Sequence, residues 1–566
     1  MDGSHTSEHD YRKFRPSIPA GIEPCITVYD IPSRSITFGP WVGGVFGFEW
    51  REGVETSMDS QGDYSSQALE KLQFRRQFFL GPEFIKDFPA WTRIQVGTEH
   101  CLTIHPDLEF YQATSKNKSI TLLGFILDPN NPEASNADVV EALIRKFDRC
   151  DDFWKYTGEF GGRWILIVND GQDIILFQDA AGLRSLYYSQ PSSLKQTYCA
   201  SQPGLIAKTL NLAMDKEALG YINSRESYDY EVYWLPGDAS MYADIKALLP
   251  NHYLNLRTGQ SQRFWPDADV KGLSRQEAVA ESSRLLRGLM LSARRRFDLA
   301  LSLTAGWDSR VMLALSRDMV RDLYCFTLTY PHTQNTRDVT IPAALLKKLG
   351  LKHSLIPYPE HVNAEYKLVY QTSIDAATMA YCADAQAMHD CYPQNRVCIT
   401  GDVAEIFKCY YRLAKPTGND VSASDLTQLC GIGTHPFLIK AFERWLSTAE
   451  SRNVHLLDLF CWEQIAGRKQ ALIRAQYDVT HESFSPFNCR SLLVTMLSAD
   501  EDYRRPPEYK ILTELMKQVW PEVLSVPINP PEKIRMKNLF IGMLQKLHVY
   551  ELVPDSAKSL GRCILK

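Results

Sequence analysis

The chain has 566 residues, and 62 Lys and Arg residues against 67 Asp and Glu residues give a formal net charge of −5. Apolar residues make up 45% of the chain and charged residues 23%, which is ordinary for globular proteins and excludes a disordered or fibrous one. At about 150 residues per domain the length predicts two to four domains, and a charge this close to neutral excludes a general basic field for nucleic acid.

The first half of the chain is predicted to be rich in β-structure. Runs of β-branched and aromatic residues, separated by Gly, Pro, Asn and Asp, are typical of short strands. These runs cover 36–50, 119–127, 161–170 and 173–179. Between them, residues 137–147 have the apolar spacing of a helix. We expect a layered α+β domain over residues 1–265.

The pattern changes after a polar stretch at 266–277, which is the best candidate for a domain boundary. Strands and helices then alternate with short connections, which predicts a parallel, doubly wound sheet. The predicted strands are 299–304 and 323–330, and the predicted helices are 277–296, 308–319 and 340–351. Helical patterns dominate from about residue 436 onwards. The second predicted domain covers residues 276–566.

The cysteine content and the hydropathy of the sequence predict where in the cell the protein is located. The 13 cysteines include no CxxC pair, so we expect free thiols in a reducing environment rather than disulfides or a zinc site. The apolar run at 120–127 is far below the ~20 residues that span a bilayer, and the polar start of the chain has no signal-peptide core. We expect a cytoplasmic protein that acts on small molecules, with no membrane or nucleic-acid partner. A homodimer is left open.

The segment most informative about chemistry is a strand that runs into a turn of small residues. Its residues are Ser302, Leu303, Thr304, Ala305, Gly306, Trp307, Asp308 and Ser309. Small side chains let backbone N–H groups approach an anion, and the helix that follows adds unpaired donors and a positive dipole end. Asp308 offers a hard oxygen suited to Mg²⁺. The segment therefore predicts a phosphate-binding loop, although a structural helix cap at Asp308 and Ser309 accounts for the same residues.

Several segments of the second half, in the same order, resemble the asparagine synthetase family. SLTAGWDSR (302–310) resembles the SGGxDS pyrophosphate loop of N-type ATP pyrophosphatases, with Thr304 and Ala305 in place of Ser and Gly. Asp338 sits like the Asp before the helix that follows the second strand. GDVAEIFKCYYR (401–412) is similar to GxGxDExFxGY. HESFSPFNCR (481–490) and EYKILTEL (508–515) resemble the ExRxPFLD and KxxLR stretches.

The first half resembles the glutamine amidotransferase half of the same family. The carrying segments are Gly162-Arg163-Trp164, DAAGLRSLYYS (179–189), ASQPGLIAK (200–208) and IKALLPNHYLNL (245–256). The resemblance implies an Ntn-hydrolase-like layered β-sandwich in residues 1–265. For residues 276–566 it implies an adenine nucleotide alpha hydrolase-like, doubly wound sheet with a helical C-terminal extension.

The first half departs from the amidotransferase pattern at the nucleophile. Active class II glutaminases use a Cys directly after the initiator Met, and its free amine serves as the base. This sequence begins Met1-Asp2-Gly3-Ser4, and Cys25 lies deeper in the chain. We find no match to the glutamine-holding NGEIYN-type segment. We therefore expect a degenerate amidotransferase-like domain that releases no ammonia from glutamine.

The resemblance implies that the second half adenylates a carboxylate with ATP and then couples an amine. It implies that Thr304–Ser309 bind the pyrophosphate and that Asp308 and Glu405 hold Mg²⁺. It also implies that Lys510 stabilises the phosphate transition state and that Glu482 orients or deprotonates the attacking amine. Phe326 and Leu328, at the end of the second predicted strand, are positional candidates to offer backbone groups to adenine, and Gly401 is a further candidate for nucleotide binding. Glu405 and Lys510 are also explained as ordinary helix residues, and Glu482 as a loop cap.

Three activities fit these residues. The first is an ATP-dependent ligase that joins free ammonia or a substrate amine to a small-molecule or peptide carboxylate, as in β-lactam synthetases and lasso-peptide cyclases. The second is an adenylating enzyme whose intermediate is attacked by sulfur, which the absence of a CxxC pair disfavours. The third is a non-catalytic nucleotide-binding or scaffold protein, which the unusual Thr304 and Ala305 leave open.

Overall fold

The computed structural model describes residues 37–38, 48–49, 64–147, 149–150, 153–190, 196–224, 234–330, 336–412, 421–450 and 452–530. Met1–Ser4 and Cys25, on which the glutaminase argument depends, lie outside these residues. The chain divides into a unit of Ile26–Ile528 and a second of Met1–Cys25 with Asn529–Lys566. The elements below belong to the first unit. The domain ranges 1–265 and 276–566 remain predictions.

The strands of the first half bear out the predicted β-rich pattern. Their bounds are β1 (Thr37–Phe38), β2 (Phe48–Glu49), β3 (Phe78–Gly81), β4 (Thr92–Val96), β5 (His100–Ile104), β6 (Phe110–Ser115), β7 (Lys118–Leu127), β8 (Gly161–Asn169), β9 (Ile174–Gln178), β10 (Tyr187–Ser189), β11 (Cys199–Ala200), β12 (Ile245–Ala247), β13 (His252–Asn255) and β14 (Gln260–Arg263). The helices here are α1 (Ser66–Glu70), α2 (Asn136–Lys146), α3 (Pro203–Leu210) and α4 (Lys216–Ile222), with a 3₁₀ turn at Phe153–Thr157.

Within the described residues, β1 pairs with β2 in a two-stranded antiparallel sheet, and the other twelve strands build two six-stranded antiparallel sheets. Their orders are β12-β10-β11-β3-β5-β4 and β14-β13-β9-β8-β7-β6. Leu80 of the first sheet and Ile165 of the second belong to one buried cluster between them. On the other face of the second sheet, Val140 of α2 packs with Leu122 of β7. Both faces of β7 are therefore covered, which explains its near-continuous apolar run and confirms the layered sandwich.

The second half contains a parallel sheet, as the strand–helix alternation predicts. Its strands are β15 (Leu299–Ser302), β16 (Tyr324–Thr329), β17 (Ser354–Pro357), β18 (Val397–Ile399) and β19 (Ser483–Phe484). Among the described residues their order is β17-β16-β15-β18-β19, and neighbouring strands are parallel. The first strand, β15, is at the centre of the sheet; β16 and β17 follow on one side of it, and β18 and β19 on the other. The order therefore reverses between β15 and β18, where the carboxyl ends of α/β sheets form a crevice.

The helices around and after this sheet confirm the helical C-terminal part. They are α5 (Arg275–Arg296), α6 (Trp307–Leu315), α7 (Arg337–Leu349), α8 (Ala364–Ser373), α9 (Met379–Cys391), α10 (Ala423–Cys430), α11 (Pro436–Thr448), α12 (Leu456–Phe460), α13 (Ala471–Tyr477), α14 (Arg490–Leu497), α15 (Glu501–Arg504) and α16 (Lys510–Val519). A π-helix, Cys461–Gln470, joins α12 to α13, and 3₁₀ turns cover Arg317–Met319, Ala404–Ile406 and Pro521–Ser525.

Two helix ends follow from local sequence. Ser274 and Glu277 form a capping box that satisfies the first N–H groups of α5. Gly350 ends α7 in the left-handed region at φ 68°, a conformation that glycine adopts without steric cost. In the part of the chain that the structure describes, no helix has both the length and the apolar character needed to cross a membrane.

Candidate active site

The loop between β15 and α6 lies at the carboxyl edge of the parallel sheet, at the point where strand order reverses. Buried β15 ends at Ser302, and α6 begins at Trp307 with Gly306 as its first flanking residue. The hydroxyl of Ser309 accepts from the N–H of Thr304 at 3.2 Å, and the hydroxyl of Thr304 accepts from the N–H of Gly306 at 3.2 Å. The two hydroxyls therefore fold the loop onto itself and hold it in shape.

A carboxylate of this chain already occupies one donor of the loop. The N–H of Ala305 donates to Oδ1 of Asp338 at 3.0 Å. Asp338 lies in the first turn of α7, and Ala305 is fully buried. The sequence marks Asp338 by position alone. The contact shows that one backbone donor of the loop is already bonded to a carboxylate oxygen of the chain, and phosphate binding at the loop remains a prediction.

Asp308, in the first turn of α6, forms a buried ion pair with a lysine that the sequence analysis missed. The Lys408 ammonium lies 2.9 Å from Oδ1 and 2.7 Å from Oδ2 of Asp308. It also lies 3.7 Å from Oε1 of Glu405, one helical turn away at spacing i,i+3. That spacing was the signal by which Lys408 could have been found.

The pKa values of the pair follow from this burial. Burial raises the pKa of Asp308 to about 6, and the neighbouring Lys408 ammonium limits the rise. Burial by itself lowers the pKa of Lys408, but the carboxylates of Asp308 and Glu405 outweigh it and raise that pKa above its ordinary value. The pair is therefore charged at neutral pH.

Two further contacts hold the acidic groups in place. Gln470, the last residue of the π-helix, donates to Oε2 of Glu405 at 2.8 Å and accepts from the N–H of Val403 at 2.9 Å. Val403 has φ 77°, a left-handed conformation that is strained for a β-branched residue. Gly401 packs so closely on Asp308 that a Cβ added there lies 2.4 Å from the Asp308 Cβ. Gly401, Glu405 and Asp308 thus meet in one place, as the resemblance predicts.

The residues present do not fit a magnesium ion held by Asp308 and Glu405, so that expectation needs correction. Both oxygens of Asp308 and one of Glu405 already accept hydrogen bonds from Lys408 and Gln470. Among the described residues, no group of three or more His, Cys, Asp or Glu side chains could hold a metal ion. The family resemblance assigned the two acids to one site but could not show the ammonium between them.

Glu482 lies away from this site, and its predicted role as a base for the amine is not supported. Glu482 directly precedes β19, and its carbonyl accepts a hydrogen bond from the N–H of Cys398 at 3.0 Å. It therefore lies at the amino ends of the parallel strands, whereas the loop 304–309 lies at their carboxyl ends. Its carboxylate lies 2.9 Å from Arg163 and 2.7 Å from Arg184.

The arginines around Glu482 determine its charge. Arg184 and Arg163, with Arg76 at 3.8 Å, overcome the effect of burial and lower the pKa of Glu482 to about 2. A carboxylate that holds a proton so weakly is a poor base at neutral pH. Because Arg163 and Arg184 come from the first half, Glu482 ties the antiparallel sheets to the parallel one.

Lys510 begins α16, which packs against α6 beside the loop. Its side chain is 45% exposed and pairs with Glu508 at 3.7 Å. The preceding residue, Tyr509, reaches the site: its ring lies edge-on to Trp307 with centroids 5.4 Å apart, and the Lys408 ammonium lies 5.9 Å from its centroid. The structure therefore places Lys510 next to the site without a described contact to the loop.

The two adenine candidates differ. Phe326 is buried, and its carbonyl accepts from the N–H of Leu303 at 2.8 Å, so that group is not available to a base. Ser302 pairs with Phe326 in the sheet, and Leu328 lies past the last residue of β16 that pairs with β15. Adenine recognition at Leu328 remains a prediction, whereas at Phe326 it is not supported.

Comparisons with known proteins give no family assignment. No protein-family description matches the chain, and no curated protein matches it by sequence. Among solved structures, the chain is similar to glutamine phosphoribosylpyrophosphate amidotransferase from B. subtilis complexed with ADP and GMP, at 12% identity and a TM-score of 0.22, covering 65% of this chain and 75% of that one.

Two synthetase structures are similar to a smaller part of the chain. Glutamine-dependent NAD⁺ synthetase from Acinetobacter baumannii in complex with ADP matches at 13% identity and a TM-score of 0.19, covering 53% of this chain and 71% of that one. NMN synthetase from Francisella tularensis matches at 15% and 0.18, covering 34% and 93%. At such TM-scores the likeness carries no argument, and the fold class rests on the strand orders above.

Proposed function

We propose that this chain is an ATP-dependent ligase that forms an amide from a carboxylate and an amine. The observation that carries the proposal is the loop from β15 to α6, which places a helix N-terminus at the strand-order reversal, beside the buried Lys408 ammonium. A helix N-terminus next to an ammonium suits a polyanion such as a nucleotide triphosphate.

In the proposed reaction, a carboxylate oxygen of the substrate attacks the α-phosphorus of ATP. The bond to the β-phosphate oxygen breaks, and pyrophosphate leaves into the loop 304–309. The amine nitrogen then attacks the acyl carbon, AMP leaves, and the amine loses a proton. Lys510, half-exposed at the start of α16, supplies a mobile positive charge for the phosphate groups. Glu482 has no part in this reaction. The substrate is a small molecule or a peptide.

Pyrophosphate exchange tests the activity. The chain, given ATP, labelled pyrophosphate and a panel of carboxylates, should return label to ATP with at least one of them. Lys510→Ala should lower exchange by about 100-fold or more, since it removes a positive charge at the phosphates. Asp308→Ala should also lower exchange, because it removes the carboxylate that holds the buried Lys408 ammonium in place beside the loop. Lys517→Ala, at an exposed position on the same helix as Lys510, is the matched control. Exchange that survives both site substitutions contradicts the assignment.

A second function, nucleotide binding without catalysis, is favoured by two contacts. Asp338 occupies the Ala305 donor, and Lys408 neutralises Asp308, so the site is satisfied internally. Calorimetric titration with ATP separates the two functions. Binding of ATP without exchange for any carboxylate supports the second function, and exchange supports the first.

A further inference from the structure

We propose that the Lys408 ammonium is a built-in cation that takes the place of a divalent metal between Asp308 and Glu405. Nucleotide phosphates then bind at the loop 304–309 without a metal bridging these two carboxylates. The inference rests on the proposed nucleotide site for its consequences. Its central claim, that these two acids bind no divalent ion, concerns the chain alone.

The geometry around the ammonium leaves little room for a metal. The Lys408 side chain is 5% exposed, and those of Asp308 and Glu405 are 16% and 23% exposed. A magnesium ion bound to Asp308 would need oxygen ligands at about 2.0–2.1 Å. Because both Asp308 oxygens lie within 2.9 Å of the ammonium, such an ion would be forced against a positive charge in a buried site.

Among the residues that the structure describes, the other charged groups around Lys408 also leave no free ligand for a metal ion. Asp402, the next acid along the segment, pairs with Arg474 at 3.1 Å and accepts from the Thr400 hydroxyl at 2.8 Å. It is therefore already compensated and offers no replacement ligand. Gln470 holds the remaining Glu405 oxygen from the opposite side. Each acid near Lys408 has a partner that belongs to the chain.

The ammonium is also permanent, unlike an exchangeable metal. Lys408 belongs to the chain, and its buried ammonium lies within 2.9 Å of both oxygens of Asp308. The positive charge at this site therefore does not depend on the divalent-ion concentration. A helix N-terminus and a fixed ammonium together supply the attraction that a metal supplies elsewhere.

Manganese binding to the full chain, without nucleotide, tests the claim directly. Titration with Mn²⁺ followed by electron paramagnetic resonance should show no site at Asp308 in the wild type. Lys408→Met keeps an unbranched side chain, shorter by the ammonium group, and removes the charge, so this variant should gain one Mn²⁺ site and be stabilised thermally by Mn²⁺. Lys440→Met is the matched control, because Lys440 pairs with Glu217 on the surface. A wild-type Mn²⁺ site that Asp308→Asn removes overturns the proposal.

A second measurement needs no variant. The affinity of the wild type for ATP should change by less than roughly threefold between EDTA and excess Mg²⁺, a difference below 1 kcal/mol. Affinity that falls more than roughly tenfold in EDTA overturns the inference and leaves the proposed function standing. Absence of ATP binding under both conditions contradicts the proposed function instead, and the Mn²⁺ titration still decides the role of Lys408.

Discussion

Asp338 accepts a hydrogen bond from the backbone N–H of Ala305 at 3.0 Å, so an internal carboxylate lies where the loop is expected to receive phosphate oxygen. The two residues are 33 positions apart: Ala305 follows β15, and Asp338 lies in the first turn of α7, the helix after the neighbouring parallel strand β16. A nucleotide phosphate and Asp338 would therefore compete for one donor. Binding of the phosphate must therefore be favourable enough to displace the Asp338 carboxylate from the Ala305 N–H.

Asp338→Ala should strengthen ATP binding. The substitution frees the Ala305 donor and removes a negative charge near the phosphates, which should lower Kd by roughly threefold to tenfold. Calorimetric titration measures the change. Asp322→Ala removes a carboxylate that is 82% exposed and should leave Kd unchanged. Weaker binding in Asp338→Ala would show that this carboxylate shapes the loop rather than blocks it.

Glu482→Gln should destabilise the fold. The neutral amide leaves Arg163 and Arg184 buried without their full counter-charge, which should lower the free energy of unfolding by about 3 kcal/mol. Urea denaturation at pH 7 measures it. Glu141→Gln removes a surface pair with Arg145 and should cost less than about 1 kcal/mol. A variant as stable as the wild type would mean that the arginine cluster does not depend on this carboxylate.

The same carboxylate predicts an acid-sensitive stability. The pKa of Glu482 is about 2 in the folded protein against an ordinary value of 4.5. A lowered pKa stabilises the fold above the ordinary value, and this contribution is lost as the pH falls from about 4.5 to about 2. Stability of wild type minus Glu482→Gln, measured by denaturation between pH 6 and pH 3, should therefore shrink towards acid. A constant difference contradicts the assignment.

Gly401→Ala should disturb the site through sterics alone. The new Cβ would lie 2.4 Å from the Asp308 Cβ, so β18 and α6 must separate, at a cost of about 1–3 kcal/mol in unfolding free energy. Thermal denaturation measures it, and ATP affinity should fall in parallel. Gly220→Ala is the control, since nothing lies within 4 Å of its added Cβ and alanine favours its helix, α4. Equal stability of the two variants would contradict the close approach.

Much of the fold could be predicted because its signals are local. The run at 119–127 indicated a buried strand, and β7 covers Lys118–Leu127. The helix at 137–147 appears as Asn136–Lys146, closed by a capping box at Ser135. Neighbouring residues determine such elements through side-chain spacing and caps. The pairing of the strands into two stacked sheets joins residues far apart in the chain, and no local pattern contains it.

Part of the candidate site could likewise be predicted from neighbouring residues, and part depends on contacts between distant residues. The strand, small-residue turn and helix around Gly306 could be predicted because they are consecutive. The family resemblance placed Gly401 and Asp308 in one candidate site, and the structure shows how closely they approach. Lys408 was missed because its partner Asp308 lies 100 residues earlier in the chain, and the sequence around a single lysine does not show whether that lysine is buried. The role expected of Glu482 is not supported because its motif contains no information about Arg163 and Arg184, which come from the first half of the chain.

By itself, the sequence determined the composition of the loop, the strand–helix alternation that makes the sheet parallel, and the presence of every charged group. Tertiary structure alone decided which charges face each other: Lys408 with Asp308, and Glu482 with Arg163, which is 319 positions away. The physical reason is that the charge state of a buried group depends on distance in space and on loss of water. Neither quantity is encoded in spacing along the chain.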